Sequence, residues 1–400
     1  MAAPRTRGGG IPLFRIGPIA VVADFSWFLA LAFFTWYFAE EVVARFSPQR
    51  GIGFHLGLGF LGALALFGSV LVHELSHSAV SWAYGKPVRR IRLFVFGGVS
   101  ELSEEPDRPL HEFLIAVAGP ATSFLVAGIL YGLARATGGS DGGAPQFREI
   151  LRPARGEVSP VATLFAQISV TNLLLGVFNL LPGFPLDGGR CLRAALWART
   201  GDLLRATRTA SRCGKALAAL LVGLGAWSTF ESGWPGLWIA LIGFFLHGAA
   251  SSAYHSTALR ASFGTARVED VMVRSVIGVE PGLPLDRLVA DYFLRYRYRA
   301  FPVVEDGRVL GVISMSNVSR VPREVWPRTL ARDAARGTEG IAVDPADPLY
   351  AAFRRMGETG LASLPVIRDG RLVGMIARRD ILLALLARGG PASKTTSLGE

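Results

Sequence analysis

The stretch HELSH, His73–His77, lies near the end of an apolar run from Gly53 to Tyr84, and its reading decides the rest. Two histidines four apart fall on one face of a helix. That spacing places two imidazole nitrogens where one tetrahedral zinc takes both. Glu74, between them, stands where a general base takes a proton from water at such a metal. The alternative is a helix with two satisfied histidines and a paired glutamate. Ionisable groups inside an apolar span are costly, so an idle His-Glu-His cluster there is a poor reading.

The surroundings of that motif are membrane-like. Of 400 residues, 50% are hydrophobic and only 18% charged, with a mean hydropathy of +0.37. Soluble chains of this length rarely have such a composition. Several apolar runs approach the roughly 20 residues that cross a bilayer as a helix. The formal net charge is +11. Basic cytoplasmic loops account for it, and no nucleic-acid partner is expected. Two cysteines, Cys191 and Cys213, are too few for a thiolate zinc site or a disulfide framework, and Cys191 reads as a small packing residue.

In chain order, residues 1–18 read as a short cytoplasmic lead, with Arg5, Arg7 and Arg15. No A-x-A pattern closes the next apolar run, so it is not read as a removed signal peptide. That run, Ile19–Phe38, is the expected first span, and Gly53–Tyr84 the second. Lys86, Arg89 and Arg90 follow the second span at once, which puts the HELSH end on the cytoplasmic side. RRIRLFVFGGVSEL, Arg89–Leu102, is β-rich, with Gly97 and Gly98 permitting close backbone approach. It is expected to form a membrane-level hairpin, either purely structural or able to pair with an extended substrate. A third span is expected over Leu110–Ala134, with the small residues of AGP, Ala118–Pro120, allowing close helix packing. A Gly-rich outer loop follows over 135–158.

The fourth span, from Val161, runs into NLLPGFPLDGGR, Asn179–Arg190, where two prolines and three glycines break the helix. Irregular backbone at membrane depth needs protein or a polar cavity to receive it. Asp187 gives this break a purpose: two helix histidines need a third protein ligand, and a carboxylate here is free to supply it. The alternative is an N-cap for the next helix. A basic cluster from Arg190 to Lys215 belongs in the cytoplasm. A fifth span, Ala216–Phe230, begins within or after that cluster, and a sixth covers Gly236–Tyr254. Six crossings put both termini in the cytoplasm. His247 and His255, eight apart on the sixth span, read as an ordinary polar contact rather than a second metal site.

From Arg267 the composition turns to a soluble α/β pattern with an internal repeat. FPVVEDGRVLGVIS, Phe301–Ser314, matches LPVIRDGRLVGMIA, Leu364–Ala377, at an offset of about 63 residues. Each unit reads as strand, D-G turn, strand. The polar tail, 389–400, is expected to be disordered.

HELSH in one span and NLLPGFPLDGG in a later one together resemble the site-2 protease family of intramembrane zinc metalloproteases, over roughly residues 11–260. The resemblance implies His73, His77 and Asp187 as ligands of one zinc, Glu74 as general base, and Asn179, eight residues before Asp187, as a group that helps hold the substrate carbonyl. The FGGV strand and the AGP segment also look like family elements. The 267–388 repeat resembles a tandem CBS pair, a module that often binds adenine nucleotides such as ATP or AMP. Such repeats often carry Ser or Thr three residues before a ribose-binding Asp. Here the first repeat has Ser314 with Asn317, and the second has Asp380 with Ala377.

The expected fold is therefore a multi-pass α-helical membrane protein of about six transmembrane helices with a small membrane-level β-hairpin, plus a soluble α/β tandem CBS domain. The divisions are 1–18 lead, 19–258 intramembrane metalloprotease, 267–322 and 327–388 CBS repeats, and 389–400 tail. The expected activity is peptide-bond hydrolysis in transmembrane segments of membrane-tethered regulators. Its partners are a single-pass substrate of the anti-sigma-factor kind, membrane lipid, and a second copy through the CBS pair. The expected location is the plasma membrane, with both termini and the CBS pair cytoplasmic. A CBS-regulated transporter or channel is the rival reading. It leaves unexplained why Glu74 sits between ligand-spaced histidines.

Overall fold

The computed structural model describes residues 10–44, 48–95, 97–102, 106–137, 159–232, 234–296 and 298–387. Residues 1–9 of the lead, most of the 135–158 loop and the 389–400 tail lie outside them. The chain divides into two compact units, Met1–Thr257 and Ala258–Glu400.

In the first unit, strands β1 (Ile11–Ile16) and β2 (Ile19–Ala23) precede helix α1 (Phe25–Tyr37). Two expectations change here. Residues 11–16 of the lead are a strand, and the run expected to span from Ile19 is strand up to Ala23, so the first membrane helix covers Phe25–Ala44. The cause is local. Ile19, Val21 and Val22 are β-branched; all three pair with β1, and Val21 and Val22 also pair with Ile91 and Arg92 on the other side. Asp24 then starts the helix by accepting a hydrogen bond from Ser26 N at 3.0 Å, which also holds its carboxyl below the usual range. A π-helical stretch, Phe38–Ala44, completes the span.

Helix α2 (Ile52–Ala83) carries HELSH, and β3 (Val88–Phe94) and β4 (Gly97–Leu102) form the expected hairpin. The hairpin is half of a four-stranded sheet in the order β1-β2-β3-β4. β2 and β3 run parallel, joined through α1 and α2, while both outer pairs are antiparallel. Val21, Ala23, Ile91 and Leu93 bury one face of the sheet against Trp27 and Phe67.

Helices α3 (Pro109–Thr137) and α4 (Pro160–Asn179) pack closely: Ser169 Oγ donates to Ala127 O at 2.7 Å. After the break come α5 (Asp187–Thr200), α6 (Leu203–Ser232) and α7 (Trp234–Phe263). All of these except α5 are long and apolar enough to cross a membrane; with α1 and α2 they make six candidate spans among the described residues. They turn large apolar side chains outward, among them Leu61, Ile129, Leu174 and Phe230, as lipid allows and water does not. The break keeps its backbone satisfied: Phe184 N donates to Ala210 O of α6 at 3.2 Å, and Leu186 N to Gly183 O at 3.0 Å.

The second unit is built on a sheet of order β5-β6-β9-β8, with β5 (Ala300–Glu305), β6 (Arg308–Ser314), a two-residue β7 (Arg336–Gly337) beside β6, β8 (Ser363–Arg368) and β9 (Arg371–Ala377). Both D-G turns form as read. Asp306 and Gly307, then Asp369 and Gly370, take positive φ (49°, 80°, 53° and 76°), the conformation a two-residue hairpin demands. Each repeat adds one parallel bridge, Val279 to Val303 and Val343 to Val366. Helix α8 (Leu349–Thr359) buries Leu349, Ala352 and Met356 against the second hairpin, and α9 (Arg378–Ala387) closes that repeat.

Candidate metal centre

Nearly six turns of apolar helix, at about 3.6 residues each, precede His73 on α2, and the helix continues past His77 without irregularity. The two imidazoles therefore stack on one face with Nε2 atoms 3.2 Å apart. Asp187 Oδ2 lies 3.2 Å from each of those nitrogens. The three ligand atoms fall within 4.8 Å of one another, the sole such His/Cys/Asp/Glu group of three among the described residues. His73 and His77 are buried. Asp187 does not cap the helix that follows; Leu186 holds the N-cap position, and the Asp187 carboxylate faces the imidazoles instead.

The outer nitrogens are already committed. His77 Nδ1 donates to Ile115 O at 2.6 Å, so its Nε2 carries the lone pair. His73 Nδ1 lies 2.8 Å from Ser123 Oγ, a partner that leaves its Nε2 facing the same point. Gly119, between those two positions of α3, leaves the space open: a Cβ there would stand 2.2 Å from His77 Nε2 and 2.5 Å from His73 Nε2. Two neutral imidazole nitrogens, one carboxylate oxygen and a cradle that tolerates only glycine fit a divalent zinc.

Glu74 points into a cavity of about 150 Å³ also lined by His77, Asp187, Ser100 and Arg190. Ser100 Oγ donates to Glu74 Oε2 at 2.7 Å. Gly98, on the same face of β4, makes room for the glutamate; a Cβ there would lie 2.7 Å from Glu74 Cγ. Gly98 thus accommodates Glu74 from the strand that was expected to pair with substrate. Gly97 takes φ +131° at the hairpin turn.

His73, Glu74, His77 and Asp187 sit in a chain whose residues 61–221 match Peptidase family M50, while 268–324 and 338–387 match the CBS domain family. Rip3 of Mycobacterium tuberculosis, named a zinc metalloprotease, is 32% identical over 93% of this chain and 91% of its own length. The chain belongs to the site-2 protease family. A second relative, the zinc metalloprotease sll0528 of Synechocystis, is 30% identical over 94% of this chain and 93% of its own. A solved site-2 protease from Methanocaldococcus jannaschii is 29% identical, covering 62% of this chain and 95% of its own, with a TM-score of 0.42. This site-2 protease is thus a multi-pass membrane zinc metalloprotease with a CBS pair.

Other expected site residues fall elsewhere. Asn179 ends α4, half-buried, and is not among the residues lining the 150 Å³ cavity. Ser314 and Asp380 line two adjoining clefts with common walls, among them Tyr298, Arg299 and Leu361. Asp380 lines a cleft of about 800 Å³ with Ser275, Arg378 and Arg379, and Ser314 lines one of about 600 Å³ with Ser316 and Leu294. Ser314 is further committed to Asn317, whose Oδ1 accepts from its backbone N at 3.1 Å and from its hydroxyl. Burial pushes the Cys191 thiol up to about 11, in keeping with a packing role.

The sequence reading missed Ser100, Ser123 and a buried ion pair on the helix that Asp187 begins. Arg193 Nε donates to Glu112 Oε1 at 2.6 Å, tying α5 to α3, and its guanidinium stacks over Phe184 at 5.1 Å. One signal was available: Glu112 is a carboxylate at the edge of an apolar span, which asks for a partner.

Proposed function

We propose that this site-2 protease hydrolyses peptide bonds within the transmembrane segment of a membrane-tethered regulatory protein, a single-pass substrate of the anti-sigma-factor kind. The observation that carries the reading is the convergence of His73, His77 and Asp187 beside a cavity that also holds the Glu74 carboxylate. In this reading those three residues hold one zinc and Glu74 is the general base. Zinc, when bound, polarises the scissile carbonyl and acidifies water. Glu74 takes the proton of the attacking water and later returns it to the leaving amine. Ser100 holds Oε2, which fixes the carboxylate while leaving Oε1 for the proton.

A helical substrate hides its peptide bonds and must unwind to be cut. Among the described residues β4 pairs with β3 alone, so its other edge is available to an extended peptide next to the cavity. The substrate role of Gly97 and Gly98 is then that of the strand they begin. The protease is assigned to 19–258 and the CBS repeats to 267–322 and 327–388. The basic residues after α2 and from Arg190 to Lys215 support a cytoplasmic placement of the HELSH end, both termini and the CBS pair in the plasma membrane. Control by ATP or AMP at the CBS pair, with Asp380 the stronger ribose-binding candidate, and pairing of two copies through this module complete the proposal.

The test is Glu74→Gln. The purified variant is expected to keep one zinc per chain by elemental analysis and to lose cleavage. Persistent cleavage by that variant removes Glu74 from the role. Membranes that hold only this variant should accumulate a single-pass protein that active enzyme removes.

A further inference from the structure

We propose that Arg190 is the second electrophile of the reaction, a catalytic residue whose guanidinium stabilises the oxyanion that forms on the scissile carbonyl. This rests on the protease reading above.

Arg190 lies one turn after Asp187 on α5, so both side chains leave the same side of that helix. It lines the same 150 Å³ cavity as Glu74, His77 and Asp187. Every other ionisable group of that cavity has a partner: Asp187 faces both imidazoles, His77 also bonds Ile115 O, and Glu74 accepts from Ser100. The Arg190 side chain has no hydrogen bond or ion pair among the described residues; its backbone N–H donates to Leu186 O at 3.3 Å. A half-buried arginine with unspent donors, on the same cavity as a general base, is able to receive an anion that forms there.

The reaction makes such an anion. Water oxygen bonds to the carbonyl carbon, the carbonyl π pair moves to oxygen, and the released proton goes to Glu74. The resulting oxyanion is stabilised by preorganised donors that gain strength only as charge develops. When the C–N bond breaks, the oxyanion reforms the carbonyl and Glu74 passes its proton to the amine. Asn179, the residue that sequence reading assigned to the carbonyl, is not among those lining the cavity; Arg190 is.

The experiment uses the full-length zinc enzyme in detergent micelles. The substrate is a quenched fluorescent peptide with an apolar core; its phosphinic isostere imitates the tetrahedral adduct. Arg190→Gln is expected to lower kcat by about 10²–10³-fold with KM nearly unchanged. Zinc stays at one per chain. The isostere loses affinity by the same factor, whereas the parent peptide, measured with Glu74→Gln as background, binds as before. Arg190→Lys restores part of the rate, and Asn179→Ala costs less than Arg190→Gln. An unchanged kcat, an effect confined to KM, or loss of zinc overturns the assignment while leaving the protease reading intact. Cleavage that survives Glu74→Gln overturns that reading instead.

Discussion

In the membrane unit, side chains 114 residues apart meet at one point: His73 and His77 spend Nδ1 on Ser123 and Ile115 and turn Nε2 toward Asp187 Oδ2, 3.2 Å from each. In the CBS unit, the two nucleotide-site candidates, Ser314 and Asp380, line adjoining clefts, and Ser314 spends its hydroxyl on Asn317 within the same turn. The difference is in where each polar group finds its first partner. A group satisfied by its own neighbours is finished locally. A group whose outer atom is held by a second element presents its inner atom to something else. By that criterion the group of His73, His77 and Asp187 is set for a ligand, whereas Asp380, with Oδ2 already accepting from Ala377 N at 3.2 Å within its own turn, keeps only its other oxygen for one.

Asp187→Ala breaks the comparison most directly. Zinc is expected to fall from one per chain to near none and cleavage to background, read by elemental analysis and peptide hydrolysis. Full zinc occupancy in this variant would make the centre no different from the Ser314 turn.

Glu112→Ala tests whether the buried pair of Glu112 and Arg193 belongs to the centre. Glu112 is 1% exposed, and its loss strands the Arg193 charge in the interior. The expected cost is about 3–5 kcal/mol of stability, seen as earlier thermal unfolding together with weaker zinc retention. Replacing both residues by methionine should recover most of the stability, because a buried pair is rarely better than good apolar packing.

Ser100→Ala sharpens the account of Glu74. Losing a hydrogen bond to a carboxylate should lower kcat about tenfold with zinc content unchanged, and Ser100→Thr should restore it. A loss of zinc would instead make β4 part of the metal cradle.

The smallest effect is expected at the CBS pair. Asp380→Ala should weaken AMP binding, followed by calorimetry, by about tenfold. If Ser314→Ala gives the larger loss, the two clefts have been ranked in the wrong order.

Local rules reach most of this architecture. The apolar runs mark the membrane helices, and the D-G pairs at Asp306 and Asp369 mark both CBS hairpins, because a positive φ there is a property of two adjacent residues. The HELSH spacing puts two imidazoles on one helix face by helix geometry alone. The run from Ile19 escaped those rules: hydropathy is the same for a lipid-facing helix and a buried strand, and pairing with β1 and β3 decided for strand up to Ala23.

By itself, then, the sequence determined the membrane class, the tandem repeat, and which residues are able to hold zinc. Only the tertiary structure decided that Asp187 faces the imidazoles and not its own helix terminus, that Gly119 and Gly98 are cavities in outline, that Ser100 steadies Glu74, and that Arg190 shares their cavity while Asn179 is not among its lining residues. The reason is distance along the chain. Motifs report geometry over a few residues, whereas partners from different helices and strands are assigned by packing.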